Sequence, residues 1–168
     1  MTASRKQFWQ DLKSGVFVSM VRETAKGETL SNPTEVFNAL KPLYAEQDDV
    51  ECLYGIFLNG KNRIMGIEKL FSGSISSSAI YPREIVKMML KHKAVGMVLS
   101  HNHPSGVATP SKEDWQITQK VYVALRSIDA TLHDHIIIGE GFYSFADEGV
   151  LEQIKEQYQS ACQCSALA

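Results

Sequence analysis

The chain has 168 residues, 44% of them apolar and 21% charged, with a formal net charge of −2. That is enough for one domain with a substantial core, and the balance gives no reason to expect nucleic acid or an anionic membrane as a partner. No run approaches the roughly 18 consecutive apolar residues that span a bilayer, and Met1-Thr2-Ala3-Ser4-Arg5-Lys6 lacks the apolar stretch of a secretory signal.

In chain order, residues 1–14 mix polar residues with Phe8, Trp9 and Leu12 and suit a short helix. Gly15 to Met20 is β-prone, and a loop follows around Lys26-Gly27-Glu28. Ser31-Asn32-Pro33 starts a helix, with proline at its first position. Val36, Phe37, Leu40 and Leu43 share one face of it, and Pro42 should disturb its last turn. Val50 to Leu58 reads as a strand, Asn59-Gly60 as a two-residue hairpin turn, and Asn62 to Phe71 as the returning strand. A Gly/Ser-rich loop spans Ser72 to Ala79. Tyr81-Pro82 opens a helix that ends near Lys93, with Ile85, Met88 and Met89 inward. The apolar run Ala94–Leu99 is a buried strand. A helix from Ser111 to about Ile128, strands at Thr131–Ile138 and Phe142–Phe145, a helix over Asp147–Tyr158 and a loose tail after Ser160 complete the reading. The hairpin demands an antiparallel pair, so the expected α/β fold has a mixed sheet rather than a purely parallel one.

Three cysteines make no disulfide framework, which fits a reducing, cytoplasmic setting. Cys162-Gln163-Cys164 has no second pair and reads as an inert tail.

The chemistry concentrates at Ser100-His101-Asn102-His103-Pro104-Ser105-Gly106. Side chains two apart on a strand share a face, so His101 and His103 point the same way where the strand ends. Asp114 lies in the first turn of the helix that begins at Ser111. Two imidazoles and a carboxylate can supply three metal ligands and leave a fourth position for water, as in catalytic zinc sites. Asp114 has a competing role, since Ser111-Lys112-Glu113-Asp114 matches a capping box, and full engagement at the cap conflicts with ligation; the adjacent histidines favour the ligand. Ser111 either caps or donates to the oxyanion of a tetrahedral intermediate. A metal-activated water needs a base. Glu51 is the candidate, sharing a strand face with Leu53, Gly55 and Phe57, although pattern alone slightly favours a wet first strand residue. Of Asp134 and His135, one must face inward, and His135 reads as a core histidine rather than a further ligand. His92 and His133 read as surface residues. The dispersed arrangement of HNH nucleases, the His-Glu-x-x-His zinc motif, the Pro-Cys-x-x-Cys of deaminases and a phosphate-cradling glycine loop are all absent.

His101-x-His103, Ser111 and Asp114 together resemble the JAMM motif of the JAB1/MPN metalloprotease superfamily. Tyr81-Pro82-Arg83-Glu84-Ile85, His101-Asn102-His103-Pro104-Ser105-Gly106, Pro110-Ser111 and Asp134-His135-Ile136-Ile137-Ile138-Gly139 are similar to its RadC-like (UPF0758) branch. The resemblance covers 31–155, leaving 1–30 as an N-terminal extension and 156–168 as a C-terminal tail. It implies a mixed, curved β-sheet flanked by helices in the JAB1/MPN (cytidine-deaminase-like) fold. It also implies Zn2+ on His101, His103 and Asp114, Glu51 as base and then acid, and Ser111 on the oxyanion side. The implied reaction is cleavage of a peptide or isopeptide bond. Longer members carry a helix-hairpin-helix region where this sequence has residues 1–30, so DNA association tied to that region does not carry over. Asn102 stands where eukaryotic deubiquitinases usually have Thr or Ser, and their ubiquitin-gripping insertions are missing. The alternative function is a DNA-repair-associated accessory protein, for which only scattered cations and the stretch near Lys87–Lys93 speak. A non-catalytic interaction domain is disfavoured because every ligand position is filled.

Overall fold

The computed structural model describes residues 16–44, 49–73 and 80–165. Five strands form one sheet: β1 (Cys52–Leu58), β2 (Ile64–Ser72), β3 (Gly96–Asn102), β4 (Thr131–Ile138) and β5 (Phe142–Ser144), in the order β2-β1-β3-β4-β5. β3 and β4 are parallel and the other three pairings antiparallel. Irregular register at Leu53/Tyr54, Phe57/Leu58 and Met97/Val98 bends the strands, as bulges do.

Five helices are described: α1 (Val16–Ala25), α2 (Pro33–Tyr44), α3 (Pro82–His92), α4 (Lys112–Arg126) and α5 (Val150–Ser165). They cover both faces of the sheet, which is why β1 and β3 are buried along their whole length and read as continuous apolar runs. On one face Leu53, Phe57, Met97, Leu99 and Ile137 pack against α3, α4 and α5. On the other, Tyr54, Ile56, Leu58, Val98 and Ile136 pack against Val36, Leu40 and Leu43 of α2, with Val21 and Ala25 of α1 beside them. The result is a three-layer α/β protein with a mixed open sheet. Among the described residues no helix is long and apolar enough to cross a membrane.

Four local expectations need correction. The β-prone segment from Val16 is helix α1, because packing of Val21 and Ala25 onto the second core cluster overrides a weak local preference. The hairpin turn is the longer loop Asn59–Arg63: Asn59 Oδ1 accepts from the N–H groups of Lys61 and Arg63, and Asn62 takes the left-handed conformation, φ 55°. α2 continues through Pro42 to Tyr44, where burial of Leu43 and Tyr44 offsets the backbone bond that proline cannot donate. α5 runs to Ser165, so the tail read as loose after Ser160 is helical to that point. The expected helix at 1–14, the loop at 74–79 and the side chains of Cys162 and Cys164 lie outside the described residues.

Candidate metal centre

β3 runs between β1 and β4, and its side chains alternate. Met97, Leu99 and His101 face α3, α4 and α5, while Val98, Ser100 and Asn102 face α2. His103 follows the strand directly. Its N–H donates to Ile138 O at 2.8 Å, the Gly106 N–H donates back to His103 O at 2.9 Å, and the Glu140 N–H donates to Gly106 O at 2.8 Å. The turn Pro104–Gly106 is therefore tied to the end of β4. The approach is so close that a Cβ on Gly139 would sit 2.2 Å from Gly106 O.

His101, His103 and Asp114 come together as the sequence predicts. His101 Nε2 lies 2.9 Å from His103 Nε2 and 3.1 Å from Asp114 Oδ1, and His103 Nε2 lies 3.6 Å from Asp114 Oδ2. His103 Nδ1 is 2.7 Å from Val107 O. A carbonyl only accepts, so Nδ1 carries the hydrogen and the neutral ring leaves Nε2 bare, facing the cluster. The spacings bracket the edge of about 3.3 Å expected for a tetrahedron of ligands around zinc. Among the described residues this trio can hold a metal ion, its donor atoms all within 4.8 Å of one another.

Asp114 also caps α4, and the expected conflict between cap and ligand does not arise. Oδ2 accepts from Ser111 N at 2.7 Å and from Ser111 Oγ at 2.6 Å, and Asp114 N donates to Ser111 Oγ at 3.1 Å. Oδ1 stays turned to His101. A carboxylate has lone pairs enough for both duties. Burial pushes the Asp114 carboxyl upward, but the His101 and His103 imidazoles beside it outweigh that effect and hold the group below the usual carboxylate range. The Asp114 carboxylate beside it raises His103 above the ordinary histidine value against the opposing effect of burial.

Glu51 immediately precedes β1 and is half-buried. Leu53 pairs with His101 across the β1–β3 ladder, so continuing the alternation puts Glu51 on the imidazole face, level with His103. It lines a cleft of about 740 Å³ with Gly73, Pro104, Ser105, Ser111 and Glu113, and its charge is felt at His103. Ser111 is the N-cap, its hydroxyl hydrogen directed at Asp114.

Both Asp134 and His135 are buried, on opposite faces of β4. Asp134 accepts from His135 N, Ser144 Oγ and Ala146 N, and burial raises its carboxyl above the usual range. His135 is a core histidine as read, although its ring reaches His101. Burial holds it well below the ordinary histidine value. His92 is not a surface residue: it stacks on Phe57 with ring centroids 4.7 Å apart and lies directly over Gly66. His133 is exposed, lying over Gly96.

Two participants were not anticipated. Asn102, between the histidines but on the other face, accepts from Cys52 N at 2.7 Å and donates to Val50 O at 3.1 Å. It thus grips the backbone on both sides of Glu51. Thr118 donates to Asp114 O at 2.6 Å; its place four residues after Asp114, where threonine can bond back along a helix, was the available signal.

A three-layer α/β fold with a two-histidine, one-aspartate cluster at the end of its central strand defines a JAB-type domain. A family model for the RadC-like JAB domain matches residues 30–150. The chain is 42% identical over 133 residues to a UPF0758 protein of Photobacterium profundum, covering 78% of this chain and 59% of the relative. It is 40% identical over 134 residues to a UPF0758 protein of Thiobacillus denitrificans, covering 79% and 59%, and 39% identical over 127 residues to one from Halorhodospira halophila, covering 75% and 56%. The chain belongs to the RadC-like JAB family. It spans about three-fifths of the length of the relatives it matches, and their names state no activity.

Proposed function

We propose that the protein is a zinc-dependent peptidase or isopeptidase of the JAMM type. The observation that carries this reading is the convergence of His101, His103 and Asp114 beside a cleft that also contains Glu51 and Ser111. A cleft of about 740 Å³ is in the size range that takes small ligands and short peptide segments. Zinc held by the three donors would supply Lewis-acid activation of water and of a substrate carbonyl. Glu51, on the same face, takes the proton of the attacking water and delivers it to the leaving amine. Ser111 lines the cleft; turning its O–H from Asp114 toward the carbonyl oxygen offers a donor to the charge that develops there.

The test is Glu51→Gln in a peptide-library and isopeptide cleavage screen, run with and without chelator. The variant should keep its zinc and lose cleavage by about 100-fold or more. A variant that cleaves at the wild-type rate removes Glu51 as the base, and wild-type cleavage that survives chelation removes the metal mechanism.

A further inference from the structure

The hydrogens in the buried bridge behind His101 can be counted. Thr118 Oγ1 has one hydrogen and lies 2.6 Å from the Asp114 carbonyl oxygen, which only accepts, so the hydrogen goes there. His135 Nδ1 lies 2.7 Å from the same Oγ1. With that hydrogen committed, Oγ1 accepts, and His135 Nδ1 is the donor. The His135 ring is fully buried and stacked on Phe145 at 4.9 Å. Among the described residues no carboxylate bonds to it, and an uncompensated charge there would be costly. The ring is therefore neutral, with a single N–H, and its Nε2 is a bare acceptor. His101 Nδ1 lies 2.9 Å from that Nε2, so His101 must carry its hydrogen on Nδ1. Its Nε2, the atom facing His103 and Asp114, is left with a free lone pair.

We infer that Thr118 and His135 are positioning residues that set the ring tautomer of His101 and present its Nε2 to a metal ion. The inference rests on the reading of His101 as a ligand. The bridge also joins two of the three donor residues: it starts at the backbone of Asp114 on α4, crosses β4 at His135, and ends on the ring of His101 on β3. A single hydroxyl, on a helix residue that touches no donor atom, thereby fixes both the direction and the hydrogen placement of the His101 ring. Partners of this kind, behind a metal-binding histidine, are typically worth about 10- to 100-fold in metal affinity.

Removing the hydroxyl with little change of shape isolates the effect. In Thr118→Val, His135 Nδ1 loses its acceptor and the ring is free to place its hydrogen on Nε2. There it meets the N–H of His101, which must then move its own hydrogen to Nε2 or turn away. Thr118→Ser keeps the hydroxyl. Two measurements are made on the full chain: zinc affinity by competition with a chromophoric chelator, and long-range 1H–15N spectra of the imidazoles after chelator treatment, at about pH 8.5 where free histidine is neutral. Wild type and Thr118→Ser should show His101 as the Nδ1–H tautomer and agree in zinc affinity within about 3-fold. Thr118→Val should show a mixture of tautomers and bind zinc about 10- to 100-fold more weakly. The inference is overturned if Thr118→Val holds zinc as tightly as wild type, if Thr118→Ser is as weak as Thr118→Val, or if wild-type His101 carries its hydrogen on Nε2. Should Thr118→Val fail to fold, the wild-type and Thr118→Ser spectra decide. Absence of zinc binding by the wild-type chain overturns the metal reading itself, and the tautomer spectrum reports the bridge separately.

Discussion

Asp114 shows what one side chain can do with two oxygens: Oδ2 closes the cap of α4 while Oδ1 stays with His101. Asn102 divides its amide in the same way, taking Cys52 N on the oxygen and giving to Val50 O from the nitrogen. Serine or threonine at this position has a shorter reach and a single hydrogen to donate. Asn102→Ala deletes both bonds and should destabilise the fold by about 1–3 kcal/mol, measured by urea unfolding. It should also lower the proposed cleavage while leaving zinc affinity close to wild type, because Asn102 holds the flanks of Glu51 from the sheet face opposite the His101 ring. Equal losses in cleavage and zinc affinity would place its effect on the ligands instead. The histidine pair was legible because its spacing matches the period of a strand. Glu51 was legible only in part: its strand face made it the candidate base, but the acids before it, Glu46, Asp48 and Asp49, slightly favoured a solvated residue, and the family resemblance tipped the choice. Asn102 and Thr118 escaped for a different reason. Asn102 finds its partners 50 and 52 residues away and Thr118 meets a ring 17 residues away, and such pairings exist only once the layers are packed.

At the scale of elements, the site depends on how the turn after β3 lies against the end of β4. Gly139→Ala places a Cβ into Gly106 O and must displace the turn that carries His103 and Val107. It should cost about 1–3 kcal/mol of stability and weaken zinc binding as well, both read from thermal melts with and without zinc; unchanged melts would mean that the turn yields freely. A second element contact has a pH signature. Glu68 on β2 meets Lys91 at 2.7 Å and His92 at 2.9 Å on α3. Burial acts to raise its carboxyl, but the bonds to Lys91 and His92 prevail and lower it. A depressed folded value means that the contribution is present in full above the unfolded glutamate value of about 4.3, and is lost as pH falls through the folded value. Glu68→Gln should therefore flatten the acid limb of the stability curve in urea titrations, and an unaltered limb would assign acid sensitivity elsewhere. The long patterned elements α2, β1, β3, α4 and β4 were all readable from periodicity and from start signals such as Ser31-Asn32-Pro33. Errors fell where side chains override local preference: α1, held by packing, and the Asn59 loop, where the asparagine oxygen takes the N–H groups two and four residues on in place of a two-residue turn.

Taken whole, the molecule places His101 and His103 at the end of a strand buried between two helical layers, Asp114 in the first turn of α4, and Glu51, the proposed base, at the head of the neighbouring strand. The cleft between them is acidic, with Asp49, Glu51 and Glu113 on its walls. Of the cations near Lys87–Lys93, Lys87 sits 3.9 Å from Glu84 and Lys91 pairs with Glu68. Nucleic acid binding rests on neutralising phosphates with cations. The chain should therefore show no salt-sensitive retention of duplex DNA, and retention at low salt that fades as salt rises would revive the accessory-protein reading. The mixed, flanked sheet was foreseeable because one hairpin and one buried strand demand it. Whether His101, His103 and Asp114 hold a single divalent cation is decided by equilibrium dialysis against zinc followed by elemental analysis of wild type and Asp114→Ala. Wild type should retain about one zinc per chain, and Asp114→Ala should lose it. Equal zinc in both proteins, or none in the wild type, would contradict this assignment.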